Sequence, residues 1–338
     1  MNVEIRSSAA YNQSIKAKVE PSHKNNQKNQ REMRDRMQQL SWWRHIKRDR
    51  LLYLMLIPGL LFFLIFKYWP MYGITIAFKD YKIGRDIWEA QWAGFKYFEQ
   101  FFESRDFWRI MENTIVISFG KLLIGFPAPI LFALLLNEIR NQQAKRFIQT
   151  VVYLPHFISW VVLGNLMLMM FAPDTGLFST LITMITGNKL NILLDADAFR
   201  LVLILSDTWK ELGWSAIIYL SALSSVDMNL YEAAAIDGAS RGRMMWNITL
   251  PAIRSTIIVM LILRVGKILD AGFEQILIMT NPLVNDKCEI IDTYVYKVGM
   301  QQAKFSYSTA VNLFKSVIGL SMVLGVNTIS KRWEENLL

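Results

Sequence analysis

The sequence predicts an all-α, polytopic membrane protein with six transmembrane helices. Three observations predict it. First, 53% of the 338 residues are hydrophobic and the mean hydropathy is +0.23, too apolar for an ordinary soluble chain. Second, apolar stretches of roughly 20 residues recur, each long enough to cross a bilayer's hydrocarbon core. Third, Lys and Arg gather at alternate ends of those stretches, as they do on cytoplasmic flanks.

The formal charge is +9, and it is uneven. Residues 1–50 hold 12 Lys or Arg against 5 Asp or Glu. Beside a membrane span, such a tail fits a cytoplasmic flank facing anionic lipid better than a nucleic-acid surface. Residues 1–40 are too polar to pack, and no apolar core near Met1 resembles a secretory signal. Residues 1–50 therefore read as a basic cytoplasmic tail and 51–338 as the transmembrane domain.

Leu51 to Tyr72 is the first span, with Trp69 and Tyr72 as interfacial aromatics at its far end. Pro58-Gly59 is either a kink or a break tolerated among neighbouring helices. Residues 73–107 form an external loop of balanced charge, dense in aromatics, that packs on itself or meets a docking protein. Asn113 to Leu136 is the second span, followed by Arg140, Lys145 and Arg146 on the cytoplasmic side. Ile148 to Phe171 is the third, and 172–199 is external. Arg200 to Leu223 is the fourth. Ser255 to Met279 is the fifth, interrupted by Arg264, Lys267, Asp270 and Glu274. Residues 280–306 form an external loop. Ser308 to Ser330 is the sixth span, closed by Lys331 and Arg332. Six spans put both termini in the cytoplasm.

Ionisable residues inside a span are costly and mark a pathway or an internal pair. Lys210 and Glu211 are such residues. So are Lys267, Asp270 and Glu274, which a continuous helix would place on one face. Flat aromatic surfaces with polar handles come from Trp209, Trp214 and Tyr219. Aromatic faces suit sugar rings, and carboxylates and amides suit hydroxyls. The candidates for a substrate path are Asn165, Trp209, Trp214, Tyr219, Asp270, Glu274 and Gln275. The bland alternative is salt bridging between subunits and interfacial tryptophans.

No chemistry of bond-making is readable. There is no G-x-x-x-x-G-K-[ST] loop, because Phe126 and Pro127 follow Gly120 and Gly125 where Lys and Ser or Thr are needed. No G-x-S-x-G elbow is present. His23, His45 and His156 are scattered without metal spacing. The lone Cys288 permits no internal disulfide and reads as an incidental loop thiol. The chain is expected to be no enzyme and to hold no metal or cofactor.

Between spans four and five lies Glu232 to Pro251, EAAAIDGASRGRMMWNITLP. It reads as two short helices around a turn at Asp237-Gly238. Met244 and Met245 give the second helix an adaptable apolar contact, and Pro251 punctuates it.

This stretch resembles the EAA loop of ABC-importer permeases. Glu232, Ala233, Ala234, Asp237, Gly238, Ala239, Ile248, Leu250 and Pro251 fall in register with that pattern, while Met245 stands where Phe is usual. Three further runs are similar to carbohydrate-importer permeases of the MalF/UgpA type, in the polysaccharide branch typified by LplB. They are Phe273 to Pro282, Asp292 to Gly299 and Phe305 to Leu320. The resemblance implies an ABC type I importer permease fold in a bacterial cytoplasmic (inner) membrane. It implies a second, similar permease, two ATP-binding cassette subunits carrying ATP and Mg, and an extracytoplasmic solute-binding protein. It assigns coupling to the ATPases to Glu232, Ala233, Ala234, Asp237, Gly238, Met244, Met245 and Pro251. The implied substrate is an oligosaccharide, with acidic fragments of alginate or pectin included. Rival readings are an ion-gradient-driven carrier, a permease for a non-carbohydrate solute, and a scaffold whose tail recruits lipid or RNA.

Overall fold

The computed structural model describes residues 47–187 and 192–330. Nearly all of the expected basic tail, together with Lys331 and Arg332, lies outside the described residues. The chain divides into two units, Met1–Gly73 and Ile74–Leu338.

In the first unit, α1 (Arg50–Phe63) is built almost wholly from Leu, Ile, Met and Phe. It continues through a wide π-turn at Leu64–Tyr68 and into 3-10 turns over Trp69–Phe78. The helix passes through Pro58 without ending.

The second unit opens on the loop after Phe78. Phe78 stacks on Trp92 at 5.8 Å, with Phe95 and Phe98 around it. A single β-bridge joins Lys79 to Trp92, and α2 (Lys96–Phe102) follows. The loop thus packs on itself. α3 (Asp106–Gly125) and α4 (Pro127–Asn137) together make the second span. Pro127 sits in the first turn of α4, where its missing N–H costs nothing. α5 (Gln142–Tyr153) is amphipathic and has no buried residue, and Asn141 caps it by accepting from Gln143 N and Ala144 N. α6 (Trp160–Met170) and α7 (Leu177–Thr186) follow.

α8 (Ala196–Ser224) is the central helix, in contact with α3, α4, α5, α12 and α14. Its 29 residues span about 43 Å. α9 (Met228–Ile236), α10 (Arg241–Met244) and α11 (Leu250–Ala252) form the polar loop. α12 (Arg254–Gly266) and α13 (Phe273–Met279) follow, then α14 (Asn285–Cys288), α15 (Ile291–Tyr296) and α16 (Phe305–Ser330).

Three apolar clusters hold this unit. Phe199 and Leu203 of α8 meet Ile117, Ile276 and Met279. Phe101, Ile110, Tyr294, Tyr307 and Val311 form a second. Ala216, Tyr219 and Leu223 of α8 meet Ile130, Ala133 and Leu134 of α4 in a third. In lipid, such packing is held by close contact and polar ties more than by exclusion of water.

Three helical stretches are long and apolar enough to cross a membrane: Arg50–Phe78, Asp106–Asn137 and Phe305–Thr328. Two more arise if each bent pair of helices is one span. α8 makes six. It is long enough, but Arg200, Asp207, Lys210 and Glu211 lower its hydropathy.

Two expected spans are not continuous helices. The third bends by 101° between Gln142–Phe157 and Trp160–Met170. Pro155 tightens Leu154–Phe157 into a 3-10 turn, Ile158 is extended, and Ser159 caps α6 through Val162 N. The fifth ends at Gly266 and restarts at Phe273. Gly272 enters α13 at φ +97°, a conformation that other residues adopt only with strain. Lys267, Asp270 and Glu274 therefore do not share one helix face. The first two lie in the break, and Glu274 is exposed in the first turn of α13.

Candidate functional site

Two features outside ordinary packing stand out, a polar loop and a charged cavity. In the loop, Asp227 caps α9 by accepting from Asn229 N. α9 ends in a double backbone closure: Ala239 N donates to Ala234 O at 2.9 Å and Gly238 N to Ala235 O at 3.1 Å. That closure needs a left-handed residue, and Gly238 supplies it at φ +75°. Ser240 then caps α10 through Arg243 N. The helix widens into a π-turn at Met245–Thr249, and Thr249 bonds the Tyr231 hydroxyl at 2.9 Å. The two arms are thereby locked into one rigid corner.

The corner's outer surface is open. Glu232, Ala233, Asp237, Gly238 and Pro251 are exposed, while Ala234, Met244 and Met245 are half-buried. Met245 packs inward on the Ala216–Leu223 cluster. The large apolar side chains that face outward are Ile236 and Trp246, 86% and 70% exposed.

The cavity lies between α3, α4, α8 and α12 and has a volume of about 500 Å³. Its floor is apolar, from Leu122, Phe126, Pro129, Met260 and Leu263. Its charged wall consists of Lys121, Asp207, Glu211, Arg264, Lys267 and Asp270. Lys121 Nζ is 3.1 Å from Asp207, and Arg264 Nη2 is 3.7 Å from the same carboxylate. Lys121 also donates to Gln275 Oε1 at 2.6 Å. Gln275 is fully buried and donates to Leu203 O at 2.9 Å and Ser206 Oγ at 2.8 Å. Glu211 faces His156 Nδ1 at 3.1 Å. Asp270 is held by Lys315 at 2.6 Å. Every buried charge here has a partner, as low-dielectric surroundings require. Among the described residues, no group of three or more His, Cys, Asp or Glu is placed to hold a metal.

The sequence profile of the family described as binding-protein-dependent transport system inner membrane component matches residues 125–337. The chain belongs to this family. It is 51% identical to the protein LplB of Bacillus subtilis (strain 168) over 88% of this chain and 93% of that one. It is 47% identical to a polygalacturonan/rhamnogalacturonan transport system permease, YteP, of the same organism, over 85% and 89%. A crystal structure of a bacterial ABC transporter involved in the import of the acidic polysaccharide alginate has a chain that superposes with a TM-score of 0.80. That chain is 41% identical, with coverage of 86% of this chain and 98% of the other. The fold is thus the ABC importer permease fold, and the apolar helices are those of a membrane component.

In this permease the seven expected substrate-path residues are dispersed. Tyr219 and Asp270 line the cavity. Gln275 stands behind its wall and positions Lys121. Trp214 stacks on His156 with centroids 4.5 Å apart, next to Glu211. Trp209 is half-exposed and outside the cavity lining. Asn165 turns back to its own helix, donating to Val161 O. Glu274 is exposed and apart from the cavity lining. Lys121, Asp207 and Arg264 form the ionic centre that reading the sequence did not single out. The available signal was that Lys121 is the sole charge in the second span, and that Asp207 lies one helical turn before Lys210.

Proposed function

We propose that this permease is the translocation subunit of an ATP-driven importer of oligosaccharides, acting by alternating access. The observation that carries the reading is the cavity of about 500 Å³ among α3, α4, α8 and α12, lined by both polar and apolar groups. That size and mixture suit a small ligand. Identity with a polygalacturonan/rhamnogalacturonan permease and with an alginate transporter chain supports a sugar as that ligand. A second solved transporter, described as bacterial alginate ABC transporter in complex with alginate pentasaccharide-bound periplasmic protein, has a chain 40% identical over 87% of this one. It supports a soluble binding protein as the donor of sugar.

ATP and Mg reside on two partner ATPase subunits, and a second, similar permease completes the bundle. Glu232 to Pro251 docks into the ATPases on the cytoplasmic side, where both termini also lie. ATPase closure moves the rigid corner, and the corner rocks α8 and α12 around the cavity. Sugar and ATP thereby bias one two-state element.

The test is ATPase activity of the complete transporter in lipid, with and without loaded binding protein, across neutral and acidic oligosaccharides. Stimulation by a sugar class is expected. An assembly that hydrolyses ATP but responds to no sugar would point to a non-carbohydrate solute.

A further inference from the structure

The cavity lining holds three cations and three carboxylates, but they are not paired one to one. Asp207 already holds Lys121 at 3.1 Å when Arg264 approaches it at 3.7 Å. Glu211 is engaged by His156 and, at 3.9 Å, by Lys210. Asp270 is held by Lys315, which also binds Asp292 at 2.7 Å. Among the described residues, no carboxylate lies within ion-pair distance of Lys267. The cavity wall at the end of α12 therefore carries one shared guanidinium and one unpaired ammonium.

Arg264 lies in the last turn of α12 and Lys267 is the first residue past its end, and both line the cavity. The end of a helix favours cations. Arg264 stands 3.7 Å from Asp207, an ion pair longer than a hydrogen bond, and its N–H groups can turn to a second acceptor. Beside them, Leu263 and Phe126 offer apolar surface for a ring face.

We propose that Arg264 and Lys267 form a carboxylate subsite that makes the cavity prefer uronate-bearing oligosaccharides over neutral ones. The proposal rests on the oligosaccharide reading above and adds the substrate's charge and the residues that read it. The ring carboxylate bonds Lys267 and the guanidinium of Arg264. Asp207 and Glu211 repel it, so it enters in one orientation, with its hydroxyls toward those acids.

The experiment uses the complete transporter in proteoliposomes with its binding protein. The probes are oligogalacturonate and the same oligosaccharide with its carboxyls methyl-esterified. In the native protein, oligogalacturonate is expected to be taken up at lower half-saturating concentration. Lys267→Gln should raise that concentration about tenfold for the free acid and leave the ester unchanged, and Lys267→Arg should restore it. Arg264→Gln should act in the same direction. Lys267 makes no ion pair whose loss would unfold the protein, so its variant stays informative if Arg264→Gln assembles poorly. Equal loss for acid and ester, or no loss for either, overturns the subsite while leaving the oligosaccharide reading standing. Uptake of neither probe nor any other sugar overturns both.

Discussion

Gln275 has no exposed surface and makes three hydrogen bonds, to Lys121, Leu203 O and Ser206. Lys121 Nζ in turn occupies the space that a Cβ at Gly272 would need. Gln275→Leu leaves Lys121 one acceptor short and takes a donor from Ser206 Oγ and from Leu203 O, which keeps the Ser206 hydroxyl at 3.5 Å. Unsatisfied buried polar groups cost about 1–3 kcal/mol each, so the melting temperature in detergent should fall clearly, and an unchanged one would show the network to be idle. Gly238 is the converse case, since nothing lies within 4 Å of where its Cβ would be. Gly238→Pro cannot adopt the φ of +75° and loses the N–H that closes α9. It should insert in the membrane and assemble, yet hydrolyse ATP without uptake. Normal sugar-stimulated ATPase with normal uptake would count against the lever role. Cys288 is buried, and burial pushes its thiol up to about 12. The thiolate is the reactive form, so maleimide at pH 8 should leave Cys288 unlabelled until the protein is denatured, whereas fast labelling would place it at the surface.

At the scale of elements, the informative features are the two breaks. Lys210 is buried and donates to His156 O at 2.7 Å and Pro155 O at 3.5 Å. The bend takes the ordinary i+4 donors from carbonyls here, although Pro155 O also accepts from Ile158 N at 3.2 Å. Lys210→Met keeps the length of the side chain but removes the donor. Proteolysis at the Ile158–Ser159 corner should become faster, and an unchanged cleavage rate would mean that Pro155 alone fixes the bend. The sequence shows where a break is affordable, through Pro155 and through the charges at 264–274. It does not show that the chain turns by 101°, because periodicity is blind to the two extended residues Ile158 and Ser159. The turn of the polar loop was legible, since Asp237-Gly238 acts locally, but Pro251, read as the end of the second helix, lies inside α11 and the break falls at Ile253. The cavity was half legible: Tyr219 and Asp270 were readable as intramembrane polar groups, but Lys121, Asp207 and Arg264 come from three helices. Their pairing is a property of how α3, α8 and α12 pack.

At the scale of the whole molecule, the charged centre invites comparison with a carrier driven by an ion gradient. Such carriers use intramembrane carboxylates that exchange protons during transport. In this permease Asp207, Glu211 and Asp270 are each held by a cation in the folded state. The chain also belongs to a binding-protein-dependent family. Uptake into proteoliposomes should then require ATP and loaded binding protein. It should continue at the same rate when a protonophore collapses the proton gradient. Uptake that needs the gradient and proceeds without ATP would overturn the mechanism. Uptake that needs both would show that at least one of the three carboxylates gives up its ion pair during the cycle, and Asp270→Asn, at the most exposed of the three pairs, would then be the first variant to lose the dependence.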